Sequence, residues 1–172
     1  MHTGRRAATA LLLGMALGGM APKAVAAGSR IYSDPMHGYT MRYPSDWFRA
    51  AGIPEGRVEL DAPGGDTIVT SLAIRGSATD GTLRAAEARE IRRDGAPAGP
   101  FSHRVATIHG VRFQRSERVV RTRGLRIDLT LLEGRHGAYV YQFQALAILD
   151  RPTAQAELAA ASAILGSITF AP

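Results

Sequence analysis

Strict alternation marks the start of the ordered pattern. Tyr39, Met41 and Tyr43 alternate with Thr40 and Arg42, the period of a half-buried strand. Pro44 fits the second position of a tight turn, two small polar residues follow, and Trp47, the only tryptophan, comes directly after. Ahead of this stretch, 30–33 is β-prone and stops at Asp34-Pro35; behind it, 48–51 continues as extended chain. Residues 57–60 alternate and end at Pro63-Gly64-Gly65. Residues 68–74 are apolar on both faces, which predicts a buried central strand. The period then changes. Thr82 to Asp94 has no β-branched run, is rich in Ala, Arg and Glu, and is bounded by Asp80 or Thr82 and by Gly95, so it reads as a surface helix. A Gly- and Pro-rich loop covers 95–100.

Four further strands follow, over 103–108, 111–121, 125–132 and 138–148. A three-residue turn 122–124 with Gly124 in its third place predicts Val119 opposite Ile127, Arg118 opposite Asp128 and Ser116 opposite Thr130. A loop over 133–137 predicts Leu131 opposite Tyr139, Leu129 opposite Tyr141, Ile127 opposite Phe143 and Leu125 opposite Ala145. One face is then wholly apolar across the last two strands, and the other carries Arg118, Asp128 and Gln142 in a row. A slip of one residue turns that apolar set outward. A second helix is expected from Thr153 to Leu165, between Pro152 and Gly166, with Leu158, Ala161 and Leu165 as its stripe and Ile164 alongside. Residues 167–170 close as a short extended segment.

Two stretches carry a resemblance. Gly38-Tyr39-Thr40-Met41-Arg42-Tyr43-Pro44-Ser45-Asp46-Trp47 is similar to the opening strand and Tyr-Pro-x-x-Trp turn of PsbP-like and DcrB-like proteins. Ala163-Ile164-Leu165-Gly166-Ser167-Ile168-Thr169-Phe170 resembles the end of their last helix and the short strand after it. The resemblance implies an α+β fold: a single domain with an antiparallel sheet flanked by helices, a PsbP-like α/β/α sandwich. Such proteins are mostly accessory or binding proteins, among them extrinsic photosystem II subunits, a nuclear Ran-binding relative and bacterial envelope proteins. No shared catalytic set transfers to this chain. In this setting Tyr39, Tyr43, Pro44 and Trp47 are structural residues.

The N-terminus changes the picture of location. A basic start, an apolar stretch over 7–20 interrupted by Gly14, Gly18 and Gly19, and the small-x-small site Ala24-Val25-Ala26 read as a secretory signal over 1–26, leaving a domain over 27–172. Arg5-Arg6 suggests the twin-arginine route beside general secretion. The expectation is a periplasmic or secreted protein with no membrane span after cleavage. The absence of cysteine excludes disulfides, thiolate metal sites and the lipid anchor found in many bacterial members of the resembled family. The net charge is +6, but Arg5, Arg6 and Lys23 lie in the signal, which halves the excess. Nucleic acid is therefore not the expected partner.

Chemistry is sparse. There is no Gly-x-Ser-x-Gly elbow, no His-Glu-x-x-His, no phosphate loop and no dinucleotide fingerprint. No cofactor or metal is expected. His103 and His109 lie about 20 Å apart on a strand, too far for shared metal ligation. His37, beside Asp34 and Gly38, is the best placed histidine for a ligand. The series Arg112, Arg115, Arg118, Arg121, Arg123 and Arg126 reads in two ways: a face that recognises carboxylate, phosphate or an acidic partner, or a solvated face with cross-strand pairs such as Arg118–Asp128. Arg115 and Glu117 share the side of Val111 and Phe113, so either a bulge re-aims them or the strand overhangs the core. The candidate binding residues are Arg112, Arg118, Arg126, Asp128, Gln142 and His37. Three functional readings remain: a non-enzymatic envelope protein that binds a partner protein or a small anionic ligand, an enzyme with a site near Asp34 and His37, and a passive subunit of an envelope complex.

Overall fold

The computed structural model describes residues 28–53, 56–75, 100–122 and 124–172. The expected signal, the helix over 82–94 and all but the last residue of the loop over 95–100 lie outside them.

Among the described residues the alternating segments form ten strands in two antiparallel sheets. In chain order these are β1 (Ser29–Asp34), β2 (Tyr39–Pro44), β3 (Phe48–Arg49), β4 (Arg57–Asp61), β5 (Thr67–Arg75), β6 (Ser102–Ile108), β7 (Val111–Thr122), β8 (Leu125–His136), β9 (Tyr139–Ile148) and β10 (Thr169–Phe170), with helix α1 (Ala154–Gly166) between β9 and β10. The opening strand β2 belongs to a three-stranded sheet in the order β1-β2-β10, apart from a seven-stranded sheet in the order β3-β4-β5-β9-β8-β7-β6. The single sheet flanked by helices is corrected accordingly. Among the described residues there is one helix, and it packs on β2, β5 and β9.

The core explains the division. Tyr39, Met41 and Tyr43 point from β2 onto Val58, Leu60, Val69, Phe113, Leu132, Tyr141 and Phe143 of the large sheet, all within one buried cluster that includes Trp47. Tyr39 meets Tyr141 and Phe143 edge-on, with ring centroids 5.7 and 5.8 Å apart. Its hydroxyl shares a 2.6 Å hydrogen bond with Ser71. Burial raises the Tyr39 pKa far above its ordinary value. Trp47 is fixed by the turn bond from its N–H to the Pro44 carbonyl, 3.1 Å. The buried stripe of α1 is Ala154, Glu157, Ala161, Ile164 and Leu165, so Ile164 lies with Ala161 and Leu165 as expected, while Leu158 is half-buried and Glu157 is buried in its turn. β5 is interior as expected, but its burial alternates: Thr67, Val69, Ser71 and Ala73 are buried, and Ile74 is exposed.

The register of β7 to β9 differs from the expected one. Thr122 pairs with Leu125, so two residues rather than three separate β7 from β8, and Gly124 has φ +79°. Val119 therefore faces Asp128, and Arg118 faces Leu129. β8 runs on to His136, which pairs with Tyr139, so Leu132 faces Phe143 and Leu131 faces Gln144. The segment 133–136 looked like loop because it is polar. Its polar groups have partners: Gln142 donates 2.8 Å to Glu133, and the His136 ring bonds the Ala171 carbonyl at 2.8 Å. The expected apolar set is consequently split, with Leu125, Ile127, Leu129 and Leu131 on one face and Tyr139, Tyr141, Phe143 and Ala145 on the other. Leu129 to Gly134 are buried without a break, which makes β8 a strand covered on both sides.

Candidate functional site

The shifted register disperses the expected arginine face. Arg112, Arg118 and Gln142 share one face of the large sheet, while Arg126 and Asp128 lie on the other. The Arg118–Asp128 pair is not formed, since Arg118 faces Leu129. Arg112 is exposed, but Arg118 is buried, with its guanidinium 4.6 Å from the Phe101 ring centroid. The backbone N–H of Arg126 donates to Asp150 at 2.6 Å, and its guanidinium lies 3.9 Å from the same carboxylate. Asp128 sits near Glu117, Arg115 and Thr130. Desolvation, reinforced by the Glu117 charge, raises its pKa above the ordinary carboxylate value. Arg115 and Glu117 are not re-aimed by a bulge, because the pairing of β7 with β8 is unbroken through them. The strand overhangs the core, and Glu117 is held there by Arg115 and by Arg104, 3.0 Å away.

The His37 turn is more ordered. Asp34 ends β1 and accepts two hydrogen bonds from His37, 3.0 Å from the backbone N–H and 2.8 Å from ring Nδ1. The side chains are 7% and 12% exposed, so water competes weakly for this pair. An ionised carboxylate only accepts, so Nδ1 carries the proton and a neutral ring presents its lone pair at Nε2. Tyr141 donates to the His37 carbonyl, Tyr139 donates 3.4 Å to the Met36 carbonyl, and the Tyr139 ring meets the imidazole edge-on at 5.2 Å. The Asp34–His37–Gly38 spacing is local, which is why the sequence exposed it.

Beside this turn opens a cleft of about 280 Å³ lined by Tyr32, Ser33, Asp34, Pro35, Met36, Arg49, Ile53, Gly56 and Arg57. Arg49 places its guanidinium 5.0 Å from the Tyr32 ring centroid. Sequence reasoning missed Arg49 and Arg57, which come from different strands. Of the described groups, no carboxylate lies within ion-pair distance of either. A second depression of about 230 Å³ lies between β2 and α1, lined by Ser29, Arg42, Tyr43, Pro44, Ala160, Ala163, Ile164 and Ser167. Among the described residues no three His, Asp or Glu side chains gather as a metal site. No helix among them is long and apolar enough to cross a membrane.

No family model matches the chain, and no curated protein matches it in sequence. Solved structures do. Cyanobacterial PsbP (CyanoP) from Synechocystis sp. PCC 6803 aligns over 90% of this chain and 98% of its own, with TM-score 0.59 and 13% identity. A protein from Bacteroides thetaiotaomicron VPI-5482 aligns over 83% of this chain with TM-score 0.56 and 16% identity, and this chain spans about half of it, 48%. LpqN of Mycobacterium tuberculosis, involved in cell envelope biogenesis, is more distant, with TM-score 0.47, 16% identity and coverage of 87% and 88%. At these identities the likeness is one of fold: the chain has a PsbP-like fold.

Proposed function

We propose that this is an exported, non-enzymatic accessory domain of the cell envelope that binds its ligand or partner in the cleft beneath the β1–β2 turn. One observation carries the reading: a cleft of about 280 Å³ bordered by two arginines without carboxylate partners among the described residues and by Asp34 of the tightly bonded Asp34–His37 turn. A concave, largely pre-formed lining of apolar side chains with a few charged groups is the usual composition of a binding site. The arginines of β7 and β8 are a poorer choice, since they lie on two faces and Arg118 is buried. The PsbP-like fold and the signal-like leader are consistent with an exported accessory protein.

Hydrogen–deuterium exchange of the exported protein, with and without envelope extract, tests the assignment. Protection is expected over 33–38 and 49–57, and Ser33→Trp, which fills the cleft, should remove it. Protection confined to β7 and β8 would move the binding surface there. Intact mass should show cleavage after Ala26; a chain retaining Met1 would contradict export.

The Asp34–His37 pair favours a second reading, an enzyme that uses Nε2 as a base. Hydrolysis of ester or phosphate substrates that is abolished by His37→Gln at unchanged stability would establish it. No turnover on either class would leave the binding role.

A further inference from the structure

Resting on that binding reading, we infer that the cleft takes a small amphiphilic anion, a carboxylate or phosphate carried on an aromatic or short alkyl body. The charge balance points to the anion. Arg49 and Arg57 contribute two guanidinium groups, and among the described lining residues Asp34 is the one carboxylate. That carboxylate faces inward and already accepts both bonds that His37 offers. The described lining therefore carries a surplus of positive charge. A guanidinium fork matches the two oxygens of a carboxylate or phosphate, and stacking limits the motion of the Arg49 fork over Tyr32.

The remaining wall points to the apolar body. Pro35, Met36 and Ile53 also line the cleft, and Met36 is 61% exposed, a large apolar side chain left without cover beside the arginines. A bare inorganic anion leaves that surface wet, whereas an attached ring or chain covers it. The volume sets the size. About 280 Å³ is near the lower end of the range for ligand pockets, roughly 300–1,000 Å³, which suits a compact ligand.

Calorimetric titration of the exported protein with phenylacetate, phenyl phosphate, the neutral isostere phenylacetamide, acetate and inorganic phosphate tests the inference. Phenylacetate or phenyl phosphate should bind at least tenfold more tightly than phenylacetamide and than the corresponding bare anion. The better of the two identifies the head group. Arg57→Gln and Arg49→Gln should each weaken that binding tenfold or more, added salt should weaken it further, and Arg112→Gln on the sheet face should leave it unchanged. Thermal unfolding of the variants confirms folding, which substitution of exposed arginines should preserve. Equal binding of phenylacetamide, lost in Ser33→Trp, would overturn the anion class while keeping the cleft as the site. Binding of bare phosphate as tightly as phenyl phosphate would remove the apolar body. Equal weakening by Arg112→Gln, or no binding of any probe, would overturn the inference, and the exchange experiment decides separately on the binding reading.

Discussion

Gly56 lines the cleft and packs closely on the His37 ring, and replacing it with alanine tests that contact. Two costs follow from the geometry. Gly56 has φ +76°, where an L-residue is strained by roughly 1–2 kcal/mol. Its new Cβ would also stand 2.8 Å from Cε1 and 3.2 Å from Nε2 of His37. The imidazole must then move, and the 2.8 Å bond from Nδ1 to Asp34 stretches with it. A hydrogen bond to a charged group contributes about 1.5–3 kcal/mol, and losing part of it adds about 1 kcal/mol or more. Gly65→Ala is the control: Gly65 has φ +69° and nothing within 4 Å of its Cβ position, so it bears the backbone cost alone. We expect Gly56→Ala to lose about 2–4 kcal/mol and Gly65→Ala about 1–2 kcal/mol. Urea unfolding followed by fluorescence of Trp47, buried at 3% exposure, measures both. In a His37→Ala background the excess at Gly56 should vanish. Equal losses for the two glycines, or an excess that survives without His37, would refute the argument.

Gly134 lies directly under Phe113, and a Cβ there would come within 2.6 Å of two ring carbons and 2.9 Å of the Arg112 carbonyl; Gly134→Ala should cost about 1–3 kcal/mol by overpacking, and Phe113→Leu should relieve most of it. Trp47→Ala should cost about 3–5 kcal/mol by circular dichroism melts, and near-unchanged stability would take Trp47 out of the core. Asp128 holds its proton more tightly when folded, because burial and Glu117 disfavour the charge. The protein therefore loses stability as pH rises through the carboxylate range, starting at the unfolded pKa and ending above the raised one. Asp128→Asn should remove that loss, stabilising the fold at pH 7 and leaving it unchanged near pH 3; destabilisation at pH 7 would show that Arg115 outweighs the desolvation.

Strands were legible wherever one face was buried, as in β2, where alternation of Tyr39, Met41 and Tyr43 maps directly onto burial. Pairing was harder. A two-residue turn after Thr122, in place of three, reverses which β7 residues share a face with which β8 residues. The alternation argument gave no warning, because β8 is buried on both faces and either parity looks apolar. The polar tail 133–136 hid four more strand residues, although Glu133, Gly134, Arg135 and His136 all pair with β9. The separation of β2 from the large sheet was not legible either, since the period of a strand reports its faces and says nothing of its neighbours.

The same distinction explains what could be read of the cleft. Asp34 and His37 act through contacts three residues apart, and their chemistry is visible in a short window. Arg49 and Arg57 acquire meaning only because the β3–β4 end of one sheet comes to rest beside β1 of the other. Each is an ordinary exposed strand residue by its own pattern. The sequence drew attention to the arginines of β7 and β8 because they are dense. Density along a strand is a weak guide, since alternate residues part to opposite faces and pairing with partners such as Glu117 and Asp150 consumes their charge. Charge left unpaired among the described residues, bordering a concave wall with an uncovered Met36, is the stronger criterion, and it selects the two arginines that stand far apart from that series.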